Sequence, residues 1–382
     1  MRNVAFWKIM ITFAHDKVMK KVFHIVTHFD VGGAERVAVN IAKSRTEGYE
    51  YHIVELLRAN SQFTKVFIKE LDEAGIHYHR AHVPPIRFHY VFERLAAVVF
   101  PLWFVPLFLK HRPAAIHSHT EMPDLAVWWL FTLFPGLLKG CKVVRTIHNT
   151  VLWTGLKKTG RRVERFFMRR ACNVAISVSV RDNYAKEYGQ TPPIIYNGVA
   201  ETPQRQCEGL SGGAINILFA GRFESQKGIS TLIEVVKRLK DDRRLHFYIV
   251  GDGSLRADIE RELGNQENVT LHAPIYGLAA YLSSFDYMFM PSEFEGLSIM
   301  SIEASLAGLP VIANSCPGLR DTLPPDWPLA VTGNSIDSYM GIFKNLEKRA
   351  NGDALSRDAT LFAKEMFGIR RMQEAYEELY KG

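Results

Sequence analysis

Cysteine and metal-binding carboxylate pairs are both scarce in this sequence. Its 382 residues hold four cysteines, at positions 141, 172, 207 and 316, and no two of them are closely spaced. That spacing argues against a disulfide scaffold and against a zinc knuckle, and it fits a reducing compartment. Asp-X-Asp occurs nowhere, so the usual carboxylate pair for a nucleotide-bound Mg²⁺ is absent. We therefore expect no metal and no cofactor.

Apolar runs long enough to cross a bilayer are also lacking, because a spanning helix needs ~20 apolar residues. The most apolar stretch, residues 95–109, contains Pro101 and Pro106, which we expect to break a spanning helix. We interpret it as a buried or interfacial helix. Near the N-terminus, Lys8 divides two shorter apolar pieces and no small-residue cleavage site follows. We interpret residues 1–18 as a loose extension that precedes a natural start at Met19.

The charge is unevenly distributed between the two halves of the chain. Residues 1–199 carry 28 Lys and Arg against 15 Asp and Glu, whereas residues 200–382 carry 19 against 25. The sharpest basic run, 157–170, has seven cations around the single acid Glu164. A solvated helix face is the simple explanation, but the same half is rich in large aromatics, and the combination predicts docking on an anionic membrane. We expect no nucleic-acid partner, because no helix-turn-helix, zinc-finger or RNA-binding signature accompanies the charge.

Strand-like apolar runs alternate with helical patterns along most of the chain. With 47% hydrophobic and 23% charged residues over this length, the chain is globular and large enough for two cores. The alternation predicts an α/β fold of two doubly wound domains, at 1–199 and 214–361, joined by a linker at 200–213. Ligands are expected at the carboxyl ends of the strands, in a cleft between the domains. The predicted strands are 22–27, 51–57, 114–119, 142–147, 174–178, 215–220, 246–250, 269–272, 287–290 and 310–313, with helices that include 33–44, 229–240 and 297–307.

Two glutamates form the most specific pattern. Glu295 is predicted in a loop after a strand, and Glu303 lies eight positions later within the following helix. If the segment is helical, a rise of ~1.5 Å per residue separates the two carboxylates by about 12 Å, comparable to a diphosphate flanked by two sugars. The N–H groups of Gly296, Leu297 and Ser298 would then be free to bind phosphates. A surface glutamate beside a capped helix is the alternative, and the buried character of the neighbours of Glu303 argues against it.

Three further features lie at the ends of predicted strands. Arg222 and Lys227 share a strand-to-helix loop, where two cations can neutralise a diphosphate leaving group without a metal. A glycine pair ending at Gly33 allows close approach of the backbone to a phosphate or sugar, although a tight turn explains it equally well. His119 lies on the same face as His117 but nearer the carboxyl edge, and we favour a functional role for it because of the other features.

These residues resemble family 4 of the retaining glycosyltransferases, enzymes of the GT-B fold in which two Rossmann-like domains face a central cleft. The resemblance runs from about residue 22 to the final helix. Its matching elements are Gly-Gly-Ala-Glu at 32–35, His119, Asn-Gly-Val at 197–199, Gly-Arg at 221–222, Lys-Gly at 227–228, Gly-Asp-Gly at 251–253, and the pair Glu295 and Glu303.

The resemblance implies a nucleotide-diphosphate sugar donor, held mainly by the second domain. It implies that Arg222 and Lys227 bind the diphosphate and that Glu303 accepts hydrogen bonds from the ribose hydroxyls. Glu295 and the backbone of residues 296–298 would hold the sugar hydroxyls and the distal phosphate.

By the same resemblance, the first domain contributes His119 at the transferred sugar and Gly33 at the phosphates. Ile275 would lie near the base, with Pro274 where the family often has a glycine. No protein nucleophile is implied, because the departing phosphate itself helps to deprotonate the acceptor. Residues 362–382 resemble the family's terminal helix, which crosses back to the first domain.

The sequence therefore predicts a metal-independent, hexosyltransferase-like enzyme that transfers a sugar to a lipid-linked or polysaccharide-precursor acceptor. We expect it in the cytoplasm, peripheral to the inner face of the membrane. Two alternatives stay open: a nucleotide-sugar epimerase or phosphorylase on the same fold, and a non-catalytic basic membrane-binding protein. The intact set of two cations and two glutamates argues against the second alternative.

Overall fold

The computed structural model describes residues 19–30, 32–44, 47–82, 89–348 and 353–381. The predicted extension at 1–18 lies outside these residues. Within them the chain forms two six-stranded sheets, and the recorded strand pairings are parallel. Helices connect the strands and flank the sheets, as the alternating apolar pattern requires. The prediction of a doubly wound α/β fold is confirmed.

The first sheet is built from the N-terminal half of the chain. Its strands are β1 Lys20–Val26, β2 Tyr49–Glu55, β3 His77–His79, β4 Ala115–His119, β5 Lys142–Ile147 and β6 Ala171–Ala175. They lie in the order β3-β2-β1-β4-β5-β6. The sequence did not predict β3, because three partly exposed residues give no apolar run. The helices are α1 Gly33–Ala42, α2 Gln62–Ala74, α3 His89–His111, α4 Glu121–Leu133, α5 Lys157–Arg170 and α6 Val178–Tyr188.

The second sheet has the same kind of winding. Its strands are β7 Ile215–Arg222, β8 Leu245–Asp252, β9 Val269–His272, β10 Tyr287–Met290, β11 Val311–Asn314 and β12 Ala330–Val331. They lie in the order β12-β11-β10-β7-β8-β9, and only the two-residue β12 was not predicted. The helices are α7 Ile229–Arg238, α8 Arg256–Leu263, α9 Ile299–Leu306, α10 Ile336–Lys344, α11 Ala354–Phe367 and α12 Ile369–Lys381.

By its internal packing the chain divides into two compact units, each built from separate stretches. One holds the described residues up to Thr146, together with Gly155–Asn173 and the chain from Tyr376. The other holds Ile147–Thr154 and Val174–Ala375. This division differs from the predicted limits at 1–199, 200–213, 214–361 and 362–382, which remain predictions.

Helix α3 corrects the prediction for the most apolar stretch. It is a single helix of 23 residues that continues through Pro101 and Pro106. Packing holds it together: Phe100, Phe104 and Phe108 are buried on one face, and Phe104 lies edge-on to a phenylalanine of β1. The prolines therefore did not stop the helix, although each removes one backbone donor. The segment Val91–His111 is long and apolar enough to cross a bilayer, a property that core helices of soluble proteins share.

A buried ion-pair network joins β5 to α4 and α5. Arg145 donates from Nε to Asp124 Oδ2 at 2.7 Å, and from both terminal nitrogens to Glu164 at 2.6 and 2.7 Å. Ser118 Oγ donates to the second oxygen of Asp124 at 2.6 Å. All four residues are buried, so the attraction is screened little and each charge depends on its partners.

Replacing Arg145 by Met should destabilise the protein by about 3–5 kcal/mol, because it leaves the buried carboxylates of Asp124 and Glu164 without their cation. Urea unfolding measures the loss. The matched control is Lys237→Met, which removes an exposed partner of Glu262 and should leave the stability almost unchanged. Equal effects of the two substitutions would contradict this account of the network.

Candidate active site

The second sheet reverses its direction of winding between β7 and β10. The two strands are hydrogen-bonded neighbours, with Tyr287 opposite Ile217 and Met288 opposite Leu218. The chain continues from β7 outward through β8 and β9, and later returns on the other side through β10, β11 and β12. Such a switch point opens a crevice at the carboxyl ends of the strands, where α/β sheets bind ligands. Arg222 is the last residue of β7, and the loops that follow β7 and β10 carry Lys227 and Glu295.

These two loops are joined directly to each other. The N–H of Glu293 donates to the Gln226 carbonyl at 2.8 Å, and Gln226 Nε2 donates to the Phe294 carbonyl at 3.1 Å. Lys227 Nζ donates to Glu295 Oε1 at 2.6 Å. The predicted cation and the predicted carboxylate are thus brought together as an ion pair.

Glu295 is held in one position by several partners. Only 6% of the residue is exposed, and its Oε1 accepts from Ser292 Oγ at 2.9 Å as well as from Lys227. Its N–H donates to the Pro317 carbonyl at 2.9 Å. A charge-assisted hydrogen bond to a largely desolvated carboxylate fixes the lysine as well, because the pair is stronger there than in water.

Gly228 makes the close approach of the loops possible. Its φ is +67°, and a Cβ built on it would lie 1.8 Å from the Pro291 carbonyl oxygen. Gly318 supports the other side of the same loop, since its Cβ would lie 2.1 Å from the Glu295 carbonyl oxygen. A side chain at either position would push the loops apart.

The Gly-Asp-Gly element at the end of β8 has a packing role. A Cβ on Gly251 would lie 2.0 Å from the Gly221 carbonyl oxygen, and one on Gly253 would lie 2.6 Å from the Phe223 carbonyl oxygen. Phe223 N–H also donates to the Asp252 carbonyl at 2.8 Å. The element therefore fixes the loop that carries Arg222. Arg222 itself is exposed and forms no ion pair within the described part of the chain; its Nη2 lies 3.5 Å from Gln226 Oε1.

Helix α9 begins later than the sequence predicts. It starts at Ile299, so the 12 Å estimate, which assumed a helix from Glu295 onward, does not apply. Ser298 is the N-cap, and its Oγ accepts from Ser301 N–H. Contrary to the prediction, the N–H of Ser298 is already used, since it donates to the Gly318 carbonyl at 3.3 Å. In the described structure, no protein acceptor is recorded for the N–H groups of Gly296 and Leu297.

Gly296 is confined by a neighbouring strand end. A Cβ on it would lie 2.4 Å from the His148 carbonyl oxygen, and its own carbonyl accepts from Ser177 Oγ at 2.8 Å. Burial lowers the pKa of His148 to about 3, so its imidazole is neutral at physiological pH. The close His148 carbonyl and the hydrogen bond from Ser177 hold the backbone at Gly296 rigid beside Glu295.

Glu303 lies within α9, as predicted. Its neighbours Ile302 and Ala304 are fully buried, whereas Glu303 is partly exposed. It lines a small cavity of about 10 Å³ together with Ala200, Thr202, Gln204, Ala279, Leu306 and Ala307. Ile275, the residue predicted near a base, follows β9 and is exposed.

Two asparagines that the sequence did not predict also contribute to the site. Asn314 ends β11, and its Nδ2 donates to the Ser292 carbonyl at 2.8 Å. Asn334 follows β12, and its Nδ2 donates to the Pro291 carbonyl at 2.9 Å. Both support the loop that carries Glu295. The sequence marks each asparagine only as a polar residue near the carboxyl end of a strand. For Asn334 even this signal was missing, because β12 was not predicted.

His119 belongs to a buried cluster of histidines at the carboxyl end of its strand. It ends β4, but it is fully buried, and its Nε2 lies 3.0 Å from Nδ1 of His24 on β1. Its ring stacks on His117 at 4.1 Å, which confirms that the two share a face. Burial lowers the pKa of His24 to about 3, so the cluster contains a neutral imidazole. The paired strands β1 and β4 place these histidines side by side, which the spacing within β4 alone could not reveal.

Gly33 begins α1 and has open space around it, since no atom lies within 4 Å of a Cβ built there. His28, which lies between β1 and α1 in the chain, was not predicted as a site residue. Its Nδ1 lies 4.0 Å from Glu35 and its Nε2 lies 3.7 Å from Glu93. Burial alone would lower the pKa of His28, but its hydrogen bond to the Glu93 carboxylate and the other nearby carboxylates raise the pKa above the usual value.

Among the residues that the structure describes, two groups of side chains have the spacing of metal ligands. They are His24 with His117 and His119, and Glu50 with His52 and His111; in each group the ligand atoms lie within 4.8 Å of one another. In the first group, both nitrogens of His117 already face hydroxyls, of Tyr380 and Thr146 at 2.7 Å each. Neither group includes the Lys227–Glu295 pair.

Gly228→Ala should weaken binding at the switch point as well as stability, because the new methyl group meets a carbonyl oxygen. The matched control is Gly209→Ala, where φ is also positive, +79°, but nothing lies within 4 Å. The control should lose only the ~1–2 kcal/mol of left-handed backbone strain. Thermal melting and nucleotide titration measure both effects. If the two variants behave alike, close contact of the loops is not required.

The chain is similar to known glycosyltransferases along most of its length. The profile described as "Glycosyltransferase Family 4" matches residues 31–202, and that described as "Glycosyl transferases group 1" matches residues 214–338. A Klebsiella pneumoniae protein described as an uncharacterized 41.2 kDa protein in the cps region is 27% identical, over 70% of this chain and 78% of that one. D-inositol 3-phosphate glycosyltransferase of Paenarthrobacter aurescens is 28% identical, over 72% and 75%.

A solved structure shows the fold at full length. Anabaena Alr3699/HepE, in complex with UDP and glucose, superposes with a TM-score of 0.73 at 17% identity, over 95% of this chain and 100% of that one. Its similarity confirms the GT-B type of fold. The two profile matches together cover about three quarters of the chain. The chain is a glycosyltransferase, and it belongs to the family 4 type.

Proposed function

We propose that this glycosyltransferase transfers a sugar from a nucleotide-diphosphate donor with retention of configuration. The observation that carries the proposal is the ion pair of Lys227 with Glu295 across the switch point of the second sheet. One loop supplies a cation for the leaving group, and the adjoining loop supplies a carboxylate for sugar hydroxyls. A nucleotide-sugar donor is supported by the neighbouring Anabaena structure, which contains UDP and glucose.

The charge on the leaving diphosphate is stabilised by Arg222 and Lys227. Lys227 is already ordered by Glu295, so little conformational entropy is lost when a phosphate replaces or joins the carboxylate. Arg222 is exposed at the end of β7 and offers a bidentate donor from the same loop. The ordered Lys227 and the exposed Arg222 lower the barrier because they act most strongly on the charge that develops as the bond breaks.

The remaining donor contacts follow the resemblance. Glu303 binds the ribose hydroxyls, the N–H groups of Gly296 and Leu297 bind the distal phosphate, and Ile275 lies against the base. Ser298 acts as a helix cap, since its N–H is occupied. Gly33, at the start of α1, and His119, at the end of β4, remain predicted contacts of the phosphates and of the sugar, respectively.

Retention is proposed to occur on one face of the sugar. The departing phosphate oxygen takes the proton of the acceptor hydroxyl while that hydroxyl forms the new glycosidic bond, so no protein nucleophile is needed. Glu295 is suited to binding hydroxyls, because the two donors to its Oε1 hold the carboxylate in a fixed position.

The acceptor is proposed to be a lipid-linked or polysaccharide-precursor sugar, and the enzyme to work in the cytoplasm at the inner membrane face. Two observations support this: a relative is described as lying in a cps region, and the N-terminal half carries the excess of basic residues. No observation favours an epimerase, a phosphorylase or a non-catalytic membrane-binding protein.

Lys227→Gln should lower kcat by about a hundredfold or more, because it removes a preorganised charge from the leaving group. The assay follows a labelled donor sugar into acceptor, and NMR of the product reports the anomeric configuration. The matched control is Lys237→Gln, which removes a lysine of another ion pair in the same unit and should leave the rate unchanged. Undiminished turnover in Lys227→Gln would refute the proposed role.

Glu303→Ala should abolish the stabilisation of the protein by its donor while leaving the fold intact. Binding to the native state raises the melting temperature, so a panel of nucleotide sugars identifies the donor by its shift. The same panel on the variant should show little or no shift. An unchanged shift would separate Glu303 from donor binding.

A further inference from the structure

Helix α3 has a second apolar face, opposite the one that packs on the sheet. It consists of Val91, Leu95, Val98, Leu102 and Leu109, and these side chains are between 48% and 75% exposed. They recur every three or four residues, or after two turns, so they form one stripe along the helix. An exposed apolar row of this length on a folded protein marks an interaction surface.

An apolar cavity adjoins this stripe. It has a volume of about 220 Å³ and lies between α3, α4 and the start of α5. Val98 contributes to both the stripe and the cavity wall, Trp128 and Trp129 line it from α4, and Arg94 is part of its lining. At the C-terminal end of α4, Leu133 and Phe134 are exposed as well.

Helix α5 borders the cavity and adds a concentrated positive charge. Its seven cations are all exposed: Lys157, Lys158, Arg161, Arg162, Arg165, Arg169 and Arg170. Its single acid, Glu164, is buried and bound to Arg145. None of the seven is in an ion pair with any residue that the structure describes. The charge of this helix therefore faces outward without internal neutralisation.

We propose that this surface, the α3–α5 face, seats the protein on an anionic phospholipid bilayer. The stripe of α3 enters the acyl boundary, the cations of α5 contact lipid phosphates, and the cavity accepts one hydrocarbon chain. The inference rests on the membrane location proposed above and assigns the surface that provides it. Amphipathic elements bind bilayers by this combination of buried apolar area and basic charge.

Other occupants fit the face less well. A second copy of the chain, related by two-fold symmetry, would bring two sets of seven cations together, which repel each other. A nucleic acid would match the cations but would leave the leucines and valines of the stripe in water. A bilayer satisfies both parts of the face at once.

The test is sedimentation of the full-length protein with vesicles of neutral phosphatidylcholine and with vesicles that also contain phosphatidylglycerol. We expect binding to the anionic vesicles. Arg161→Gln/Arg162→Gln/Arg165→Gln should weaken it about a hundredfold, at about fivefold per charge. The control Lys240→Gln/Arg243→Gln/Lys344→Gln removes three exposed cations from the second sheet's unit and should change binding less than twofold.

A second pair of variants tests the stripe. Leu95→Gln/Leu102→Gln should weaken vesicle binding at least tenfold, whereas Leu361→Gln, an exposed leucine of α11, should not. Brominated acyl chains should quench tryptophan fluorescence, and Trp128→Phe/Trp129→Phe should remove most of that quenching. The proposal is overturned if the stripe variant binds vesicles as tightly as the unmodified protein does. It is also overturned if single-stranded DNA displaces the protein fully from vesicles and binds the stripe variant as tightly as the unmodified protein.

The donor-induced rise in melting temperature separates this inference from the proposed function. It should be the same in the α5 and α3 variants as in the unmodified protein, because neither set of residues lies at the switch point. Lost vesicle binding with an intact donor shift supports the surface assignment. An intact donor shift without any vesicle binding by the unmodified protein refutes it and leaves the transferase proposal standing.

Discussion

The neighbouring position of β7 and β10 is the constraint on which the candidate site depends. Parallel strands direct their carboxyl ends to one edge, so the two following loops must meet there. Their meeting is close because Gly228 lets one backbone lie against the Pro291 carbonyl of the other. The contact of Lys227 with Glu295 follows from this backbone arrangement, and the two side chains are fixed before any substrate arrives.

Such a preformed ion pair suits the proposed mechanism, which uses no protein nucleophile. A fully solvent-exposed lysine would have to lose its hydration and its rotamer freedom during the reaction. Held against a carboxylate that is itself nearly buried, Lys227 is already ordered at the carboxyl edge of the sheet. This preorganisation is the physical basis of the proposed catalysis. Asn314 and Asn334 contribute indirectly, because they hold the loop that carries Glu295.

The sequence predicted two doubly wound sheets and placed Lys227 and Glu295 in loops that follow strands. These features depend on local apolar runs and on residues at strand ends, which are visible along the chain. It did not predict that His119 is buried against His24, because that contact depends on which strand lies beside β4. It also placed the start of α9 too early and gave Ser298 a free N–H, since a cap and a cross-loop bond depend on the position of Gly318. The continuity of α3 through two prolines is likewise a result of packing.

The most direct test of the central claim is a crystal structure of the protein with its donor, or with the corresponding nucleoside diphosphate. The account predicts that the distal phosphate lies within hydrogen-bonding distance of Lys227 Nζ and of an N–H at Gly296 or Leu297, with the guanidinium of Arg222 turned toward the diphosphate. A diphosphate bound away from the carboxyl ends of β7 and β10, with Lys227 and Glu295 still paired only with each other, would contradict it.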